Sequence, residues 1–320
     1  MWIFEDIFKT TIWGGDRIPA LKKVSVDLPN VGESWEISGV AGSESVVAEG
    51  KDKGLTLREL VRKYGASLMG EANFGKFGED FPLLIKFIDA RQDLSVQVHP
   101  DDALAQKRGF RFGKTEMWYV VDAAPGARLA NGFRHEVDPG EYAGLVETGK
   151  IEDELRFCPI SRGDVFFIPA GRVHAIGKGA FVAEIQQTSD TTYRLYDYHR
   201  KDANGREREL HTAQAFDAIN FRDTDGKAVD YKAEENGAVN VAESPFFTTN
   251  VIQADATIVR DYGPLDSFVI LIATSGEADI RCGGESVTLR AGHSVLLPAS
   301  AGSYEIEPVE GFTALETYIR

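Results

Sequence analysis

The sequence predicts a mostly β protein in which two consecutive β-barrels carry a few helices. Its 32 glycines and 12 prolines lie between short apolar runs along the whole chain. This punctuation is typical of many strands joined by turns. The chain has 320 residues, of which 43% are hydrophobic, so it can bury one large core or two ordinary ones.

Charge and cysteine content limit the partners and the compartment. The 50 acidic and 35 basic residues leave a formal net charge of −15 without a basic stripe, so we expect no nucleic-acid partner. The longest apolar run, residues 268–273, is far shorter than the roughly 20 residues of a membrane helix, so we expect no membrane partner. Cys158 and Cys282 lie far apart and the chain opens without a signal peptide, which predicts free thiols in a cytoplasmic protein.

Two helices are predicted in the first third of the chain, among strand-like runs. One spans residues 56–64, where Thr56 and Glu59 have the spacing of a capping box. The other begins at Asp101 or Asp102, a residue type that favours the N-cap, and ends at the next glycine. The first is expected to be structural, and the second directly follows the strand at residues 94–100.

Residues 81–198 alternate strand and turn, and they form the predicted catalytic barrel. A helical insertion is expected at residues 139–148, with Asp138 as its cap. The strands are expected at residues 82–90, 94–100, 116–122, 127–132, 164–171, 180–188 and 192–198.

The chain is predicted to divide into a catalytic domain at residues 1–222, a connector at 223–240 and a second, smaller barrel at 241–320. A helix at residues 212–220 ends the first domain, and the connector is polar and contains glycine. The last part has enough strand material for a barrel, at residues 248–254, 267–275, 277–282, 285–290 and 293–299.

Polar residues alternate with valines in the strand at residues 94–100. Strand geometry puts Gln97 and His99 on one face and the valines on the other. Lys114 and Glu116 repeat this arrangement on a face that continues into apolar residues. Because an unpaired buried carboxylate is costly, a cation is expected beside Glu116, either a metal ion or Lys114 in a plain ion pair.

His174 belongs to a specific spacing. Gly163, five residues, Pro169, one residue, Gly171, two residues and His174 reproduce the second signature of the cupin (jelly-roll) barrels. The glycines and the proline provide the turns into and out of a strand, and the histidine returns into the barrel mouth. We therefore predict tandem cupin-like barrels.

The four polar candidates together suit a metal ion. Gln97, His99, Glu116 and His174 offer oxygen and nitrogen donors, which fit one zinc ion with a position open for water or substrate. Iron or manganese also fits this donor set. The second barrel has serines where its signature needs glycine and histidine, so we expect it not to bind this metal and His293 to be structural.

These motifs resemble those of the type I phosphomannose isomerases, in particular their short bacterial branch. The resemblance covers roughly residues 1–200 and rests on GESWEIS, PLLIKFIDA, VHPDD, GKTEMWY and EIQQTSDTTYRLYDYHR. It implies that zinc is held by the four residues named above. It also implies an enzyme that interconverts mannose 6-phosphate and fructose 6-phosphate, with a sugar phosphate as its partner.

The resemblance further implies active-site roles for Lys114, Asp190 and Arg194. Aldose–ketose isomerisation moves a proton between adjacent carbons, polarises the sugar oxygens and anchors a phosphate. Arg194 could stabilise an enediolate or hold phosphate, and Lys86 could bind substrate or extend to the barrel rim. The base stays open among Asp190, Lys114 and a metal-bound water, and Glu184 could support the site or form a buried ion pair.

Two other functions are compatible with a cupin barrel, since a fold alone does not define a function. One is an iron-dependent oxygenase, against which Gln97 and the cationic residues argue. The other is a sugar-phosphate-binding protein without catalysis, against which the complete set of metal and charged candidates argues.

Overall fold

A computed structural model describes residues 1–202 and 204–320. The strands are β1 (Ile7–Gly15), β2 (Val31–Ile37), β3 (Leu83–Asp89), β4 (Val96–Val98), β5 (Glu116–Ala123), β6 (Arg128–Phe133), β7 (Leu155–Pro159), β8 (Val165–Ile168), β9 (His174–Ile176), β10 (Ala180–Gln187), β11 (Tyr193–Tyr196), β12 (Gly237–Glu243), β13 (Thr248–Ala254), β14 (Ile258–Asp261), β15 (Val269–Cys282), β16 (Glu285–Arg290), β17 (Ser294–Leu297) and β18 (Ser303–Tyr318). The α-helices are α1 (Arg17–Lys22), α2 (Leu57–Tyr64), α3 (Ala66–Met69), α4 (Glu71–Phe77), α5 (Asp102–Lys107), α6 (Tyr142–Glu147) and α7 (Thr212–Ala218). The predicted mostly β class is confirmed.

The strands form three antiparallel sheets. The first has the order β1-β2-β3-β10-β5-β8, and the second has the order β11-β4-β9-β6-β7. The third has the order β12-β13-β18-β15-β16, with β14 on β18 and β17 on β15.

The first two sheets enclose an interior, as two faces of one barrel do. Trp118 and Val182 of the first sheet pack in the same apolar cluster as Leu129 and Ile176 of the second. The outer face of the second sheet packs against α6 and α7, which contribute Tyr142, Val146 and Ala215. Residues that face the interior are therefore shielded by sheet on both sides.

The outer face of the first sheet packs against the third sheet. Ile85 of β3 belongs to the same cluster as Ile270 and Leu315 of the third sheet, together with residues of α2 and α3. The third sheet also encloses an apolar cluster of its own. The catalytic barrel therefore rests on the C-terminal one through a shared core.

Two of the three predicted helix caps are present. Thr56 Oγ1 accepts from Glu59 N at 3.2 Å, and Glu59 Oε2 accepts from Thr56 N at 2.8 Å, which is a complete capping box. Asp101 Oδ1 accepts from Leu104 N at 2.8 Å at the start of α5. In the insertion, α6 begins later than predicted, because Asp138 caps a turn at Gly140 instead of the helix.

In the C-terminal part, one prediction was wrong and one strand had not been predicted. The separate strands at residues 267–275 and 277–282 are one strand, β15, with irregular pairing to β18 around Gly276. Gly276 has a φ of +75°, and a Cβ there would lie 2.1 Å from the carbonyl oxygen of Gly311, so the glycine makes a bulge instead of a turn. Strand β18 was not predicted, and it contains a proline and a glycine, Pro308 and Gly311, which are residue types typical of turns.

Residues 223–234 form neither helix nor strand, and β12 begins at Gly237. This segment is tied to the first barrel, because Val229 N donates to Val165 O at 2.8 Å and the Tyr231 hydroxyl donates to Gly163 O at 2.6 Å. The division at residues 222 and 240 stays a prediction. Within residues 1–202 and 204–320, no helix has the length and apolarity needed to cross a bilayer.

Candidate metal centre and substrate cavity

Three strands bring the predicted ligands into the barrel interior. On β4, Val96 and Val98 pack outward towards the helices, which leaves Gln97 facing inward. Gln97 lies opposite His174 in the pairing of β4 with β9. Glu116 is the first residue of β5, and His99 follows β4. Alternation along the strands therefore produces the convergence that the sequence predicted.

The turns of the cupin signature support this arrangement. Gly163 and Gly171 have φ values of +92° and +89°, which favour glycine. Gly171 N donates a hydrogen bond to His99 O at 2.9 Å, so the turn before His174 is bound directly to the strand end that carries His99. The backbone thus holds two ligand stretches together.

The side chains meet around Glu116. His99 Nε2 lies 3.4 Å from Glu116 Oε2, and His174 Nε2 lies 3.4 Å from Glu116 Oε1. One donor atom from each of these residues lies within 4.8 Å of the others, and all three residues are at most 1% exposed. The Gln97 amide nitrogen lies 3.3 Å from His174 Nε2, so its side chain reaches the same point.

Backbone carbonyls orient both imidazoles. His99 Nδ1 donates to Thr191 O at 2.9 Å, and His174 Nδ1 donates to Arg172 O at 2.8 Å. Because a carbonyl only accepts, each Nδ1 carries the proton and each Nε2 keeps a free lone pair. This is the tautomer that a metal ligand requires. The Lys114 ammonium lies 3.1 Å from His99 Nε2, and the Gln97 amide lies at His174 Nε2.

Electrostatics keep the imidazoles neutral and the carboxylate charged. Burial, followed by the charge of Lys114, lowers the pKa of His99 to about 3, and burial also lowers the pKa of His174. Burial alone would raise the pKa of Glu116, but the Lys114 ammonium 2.9 Å from Oε2 holds it well below its usual range. Neutral imidazole and carboxylate are the ligand forms that divalent metals bind.

The residues fit a metal ion. Although Lys114 is at ion-pair distance, neither oxygen of Glu116 accepts a hydrogen bond of proper geometry from any described residue. Buried carboxylate oxygens without such partners indicate that a further cation belongs there. Two imidazoles, a carboxylate and an amide form a donor set suited to divalent transition metals.

A cavity of about 310 Å³ opens beside this centre. It brings together all four residues predicted from sequence to act on substrate. Its wall includes Lys86, Lys114, Asp190 and Arg194 and the ligand candidate Gln97, together with Glu33, Glu184, Trp13, Ser95, Thr192 and Arg208.

Lys86 is compensated by two carboxylates. Its Nζ lies 3.2 Å from Glu184 Oε2 and 3.7 Å from Glu33 Oε2. Glu184 Oε1 accepts from the indole of Trp118 at 3.0 Å, so both readings of Glu184 apply: it forms a buried ion pair and also lines the cavity. Burial opposes the protonation of Lys86, but Glu33 and Glu184 outweigh it and raise its pKa.

Arg194 lies opposite Gln97 in the pairing of β11 with β4. Its Nη1 donates to Glu209 O at 2.8 Å, and its Nε is buried without a hydrogen-bond partner among the described residues. Burial, followed by the charge of Arg208, lowers the pKa of Arg194. Asp190 is exposed on the cavity wall and is in no ion pair with a described residue.

Sequence reasoning missed two charged residues of the cavity wall, Glu33 and Arg208. Glu33 lies in GESWEIS, one of the motifs that carried the resemblance, so its motif was a usable signal. Arg208 follows β11 in a charged loop, where no spacing or alternation distinguishes it from its neighbours. Only the path of that loop brings it to the cavity.

The two cysteines and His293 lie outside this cavity. Cys158 and Cys282 are free thiols in the described part of the chain. Among the residues the structure describes, only the centre at Glu116 groups three or more histidine, cysteine or acidic donors. The second barrel accordingly offers no such cluster in its described residues, and His293 lies there partly buried.

This fold and site are those of a cupin protein with a candidate metal centre beside a polar, charged cavity. A family model described as the catalytic domain of type I phosphomannose isomerase matches residues 2–148, and one described as the cupin domain of mannose-6-phosphate isomerase matches residues 240–312. The chain belongs to the type I phosphomannose isomerase family.

Relatives support this assignment over nearly the full length. The chain is 36% identical over 301 residues to the mannose-6-phosphate isomerase of Streptococcus mutans, which covers 92% of each chain. It is 34% identical to mannose-6-phosphate isomerase ManA of Bacillus subtilis, with 95% of each covered. The crystal structure of the mannose 6-phosphate isomerase from Bacillus subtilis superimposes with a TM-score of 0.88 at 32% identity, over 100% of this chain and 99% of that one.

Proposed function

We propose that this chain is a zinc-dependent mannose-6-phosphate isomerase that interconverts mannose 6-phosphate and fructose 6-phosphate. The observation that carries the proposal is the buried Glu116 carboxylate between two neutral imidazoles, beside a cavity with several cations. The names of the near-full-length relatives agree with it. An oxygenase or a non-catalytic binding protein is not favoured.

The proposed ligands are Gln97, His99, Glu116 and His174. Zinc bound there would act as a Lewis acid on the sugar oxygens. Gln97 would present its amide oxygen, which requires the amide to be turned relative to the orientation that donates to His174. The backbone bonds to both Nδ1 atoms hold the imidazoles for this role.

The cavity residues have separate proposed roles. Arg194 carries a fixed positive charge and would stabilise the enediolate or bind the phosphate. Lys86, held by Glu33 and Glu184, would contact substrate hydroxyls. Asp190 and Lys114, which both line the cavity, would be the protein groups that move the proton between the two carbons.

Metal removal and four variants test the proposal. Chelation should abolish conversion of mannose 6-phosphate, and zinc should restore it. His174→Ala should lose bound zinc and activity together, whereas Arg194→Ala should keep zinc and lose on the order of 10²-fold or more in kcat/KM. Asp190→Asn and Lys114→Met should each keep zinc, and the variant that removes the base should also lose one limb of the pH–rate profile.

Metal analysis and a coupled isomerase assay give both readouts. Full activity of the metal-free protein, or wild-type turnover by both His174→Ala and Arg194→Ala, would refute the proposed site. Oxygen consumption with iron in the absence of isomerase turnover would support the oxygenase instead.

A further inference from the structure

The charges around Asp197 do not balance. Asp197 is buried and accepts from Arg208, with Nε to Oδ2 at 2.7 Å, and it also forms an ion pair with Arg200. Arg194 is close enough for Arg208 and Arg200 to lower its pKa, yet it is in no ion pair with a described residue. Three guanidinium groups therefore share one buried carboxylate.

Two of these arginines face the substrate cavity. Arg194 and Arg208 line it, whereas Arg200 does not and instead donates to Asp93 O. The other two cations of the cavity wall are already compensated, Lys86 by Glu184 and Lys114 by Glu116. Among the described cations of the cavity wall, Arg194 is therefore in no ion pair, and Arg208, which shares Asp197 with Arg200, is compensated only in part.

Arg194 also has a hydrogen-bond donor without an acceptor. The Nε of Arg194 is buried without a partner among the described residues. A buried charged donor without an acceptor is unfavourable unless a ligand supplies one. Guanidinium groups match the oxygens of a phosphate, and a phosphate monoester carries about −1.5 to −2 charges at neutral pH.

We propose that Arg208 is a second anchor for the substrate phosphate, which it binds together with Arg194, and that Asp197 is the positioning residue that holds Arg208. This inference rests on the proposed isomerase function and adds to it a binding residue and its support. Asp197 orients the planar group of Arg208 through two of its nitrogens, so that less side-chain entropy is lost when the phosphate binds.

The test compares Arg208→Gln with Arg206→Gln in the zinc-loaded protein. Arg206 lies in the same loop with an exposed side chain, so it controls for loss of one positive charge. Arg208→Gln should raise KM for mannose 6-phosphate roughly 10- to 100-fold with little change in kcat, and weaken inhibition by inorganic phosphate similarly. The KM of Arg208→Lys should lie between those of wild type and Arg208→Gln, because lysine keeps the positive charge but lacks the planar guanidinium group.

Two further readouts separate anchoring from a structural role. The zinc content of Arg208→Gln should equal that of wild type, whereas a distorted active site would lose zinc. Asp197→Asn should raise KM for mannose 6-phosphate, and the double variant Asp197→Asn/Arg208→Gln should be no worse than Arg208→Gln alone.

Wild-type KM and phosphate inhibition in Arg208→Gln would overturn this inference and leave the isomerase function intact. Equal losses in Arg208→Gln and Arg206→Gln would also overturn it, since general electrostatics would then suffice. If wild type does not convert mannose 6-phosphate, the proposed function fails by itself. In that case, calorimetry with inorganic phosphate still tests whether Arg208 is an anchor. Phosphate must bind to wild type and bind more weakly to Arg208→Gln.

Discussion

At the scale of single residues, the site is governed by the cost of burying charge. Glu116 is fully buried between His99 and His174, and Lys114 only partly compensates it. Such a carboxylate persists in charged form because the Lys114 ammonium lies beside it. The same principle applies to Lys86. Its ammonium group is buried and stays charged because the carboxylates of Glu33 and Glu184 lie beside it.

Lys86→Met should destabilise the protein in a pH-dependent way. The variant leaves Glu33 and Glu184 without their cation, so we expect a loss of about 3 kcal/mol in the free energy of unfolding near pH 8. Burial already raises the pKa of Glu184, and without Lys86 it rises further. As the pH falls towards about 5, the carboxyl takes up a proton in the folded state and the loss should shrink.

Urea denaturation at the two pH values measures this effect. Lys86→Met/Glu184→Gln serves as the matched control, because it removes one of the two unpaired carboxylates and should recover part of the stability. An equal loss at both pH values would show that packing of the lysine stem, and not charge, is responsible.

At the scale of elements, glycines decide where strands bend. Gly276 allows β15 to continue through a bulge, where its positive φ and the nearby carbonyl of Gly311 leave no room for a side chain. The apparent turn in the sequence is therefore an irregularity within one long strand. In the catalytic barrel, by contrast, Gly171 has a φ of +89° in the turn between β8 and β9, just before His174.

Gly276→Ala should cost more than about 2 kcal/mol in the free energy of unfolding, because left-handed strain adds to a backbone clash. Gly283→Ala is the matched comparison. Gly283 lies in the turn between β15 and β16, with a φ of +59° and no atom within 4 Å of an added Cβ. Gly283→Ala should cost about 1 kcal/mol from backbone strain alone. Equal losses in urea denaturation would contradict the clash.

At the scale of the whole molecule, the two barrels share a core. Phe268 of the C-terminal part is fully buried, and its ring centroid lies 4.6 Å from that of Phe81, which precedes β3. Apolar residues of the first and third sheets belong to the same cluster. The C-terminal barrel thus supports the sheet that carries Glu116.

We expect the two barrels to unfold together, because neither can leave this core without exposing it. Loss of isomerase activity, of tryptophan fluorescence and of far-ultraviolet circular dichroism should coincide in urea. Phe268→Ala should lower the free energy of unfolding by about 3–5 kcal/mol while keeping a single transition. Val259→Ala, at a side chain that is 64% exposed, should change it by less than about 0.5 kcal/mol. Separate transitions for activity and for circular dichroism would contradict the shared core.

Short-range patterns were enough to predict much of this protein. The alternation around Gln97, the capping box at Thr56 and the glycine spacing before His174 each act within a few residues of chain, so they can be read without knowing what packs where. Family membership followed from the same motifs. The helix at residues 212–220 was predicted for the same reason and is observed as α7.

Other features depend on contacts between distant segments. Strand β18 contains a proline and a glycine, and only its pairing with β15 shows that they fall at irregular positions. Arg208 reaches the cavity because Asp197 binds it, and Glu33 reaches it because β2 pairs with β3. Periodicity and caps are local properties of the chain, so the sequence alone determined the fold class and the residue types of the candidate metal centre. Whether a charge beside that centre is compensated depends on all the groups around it, and these come from distant parts of the chain. Only the tertiary structure therefore decided which charges remain uncompensated.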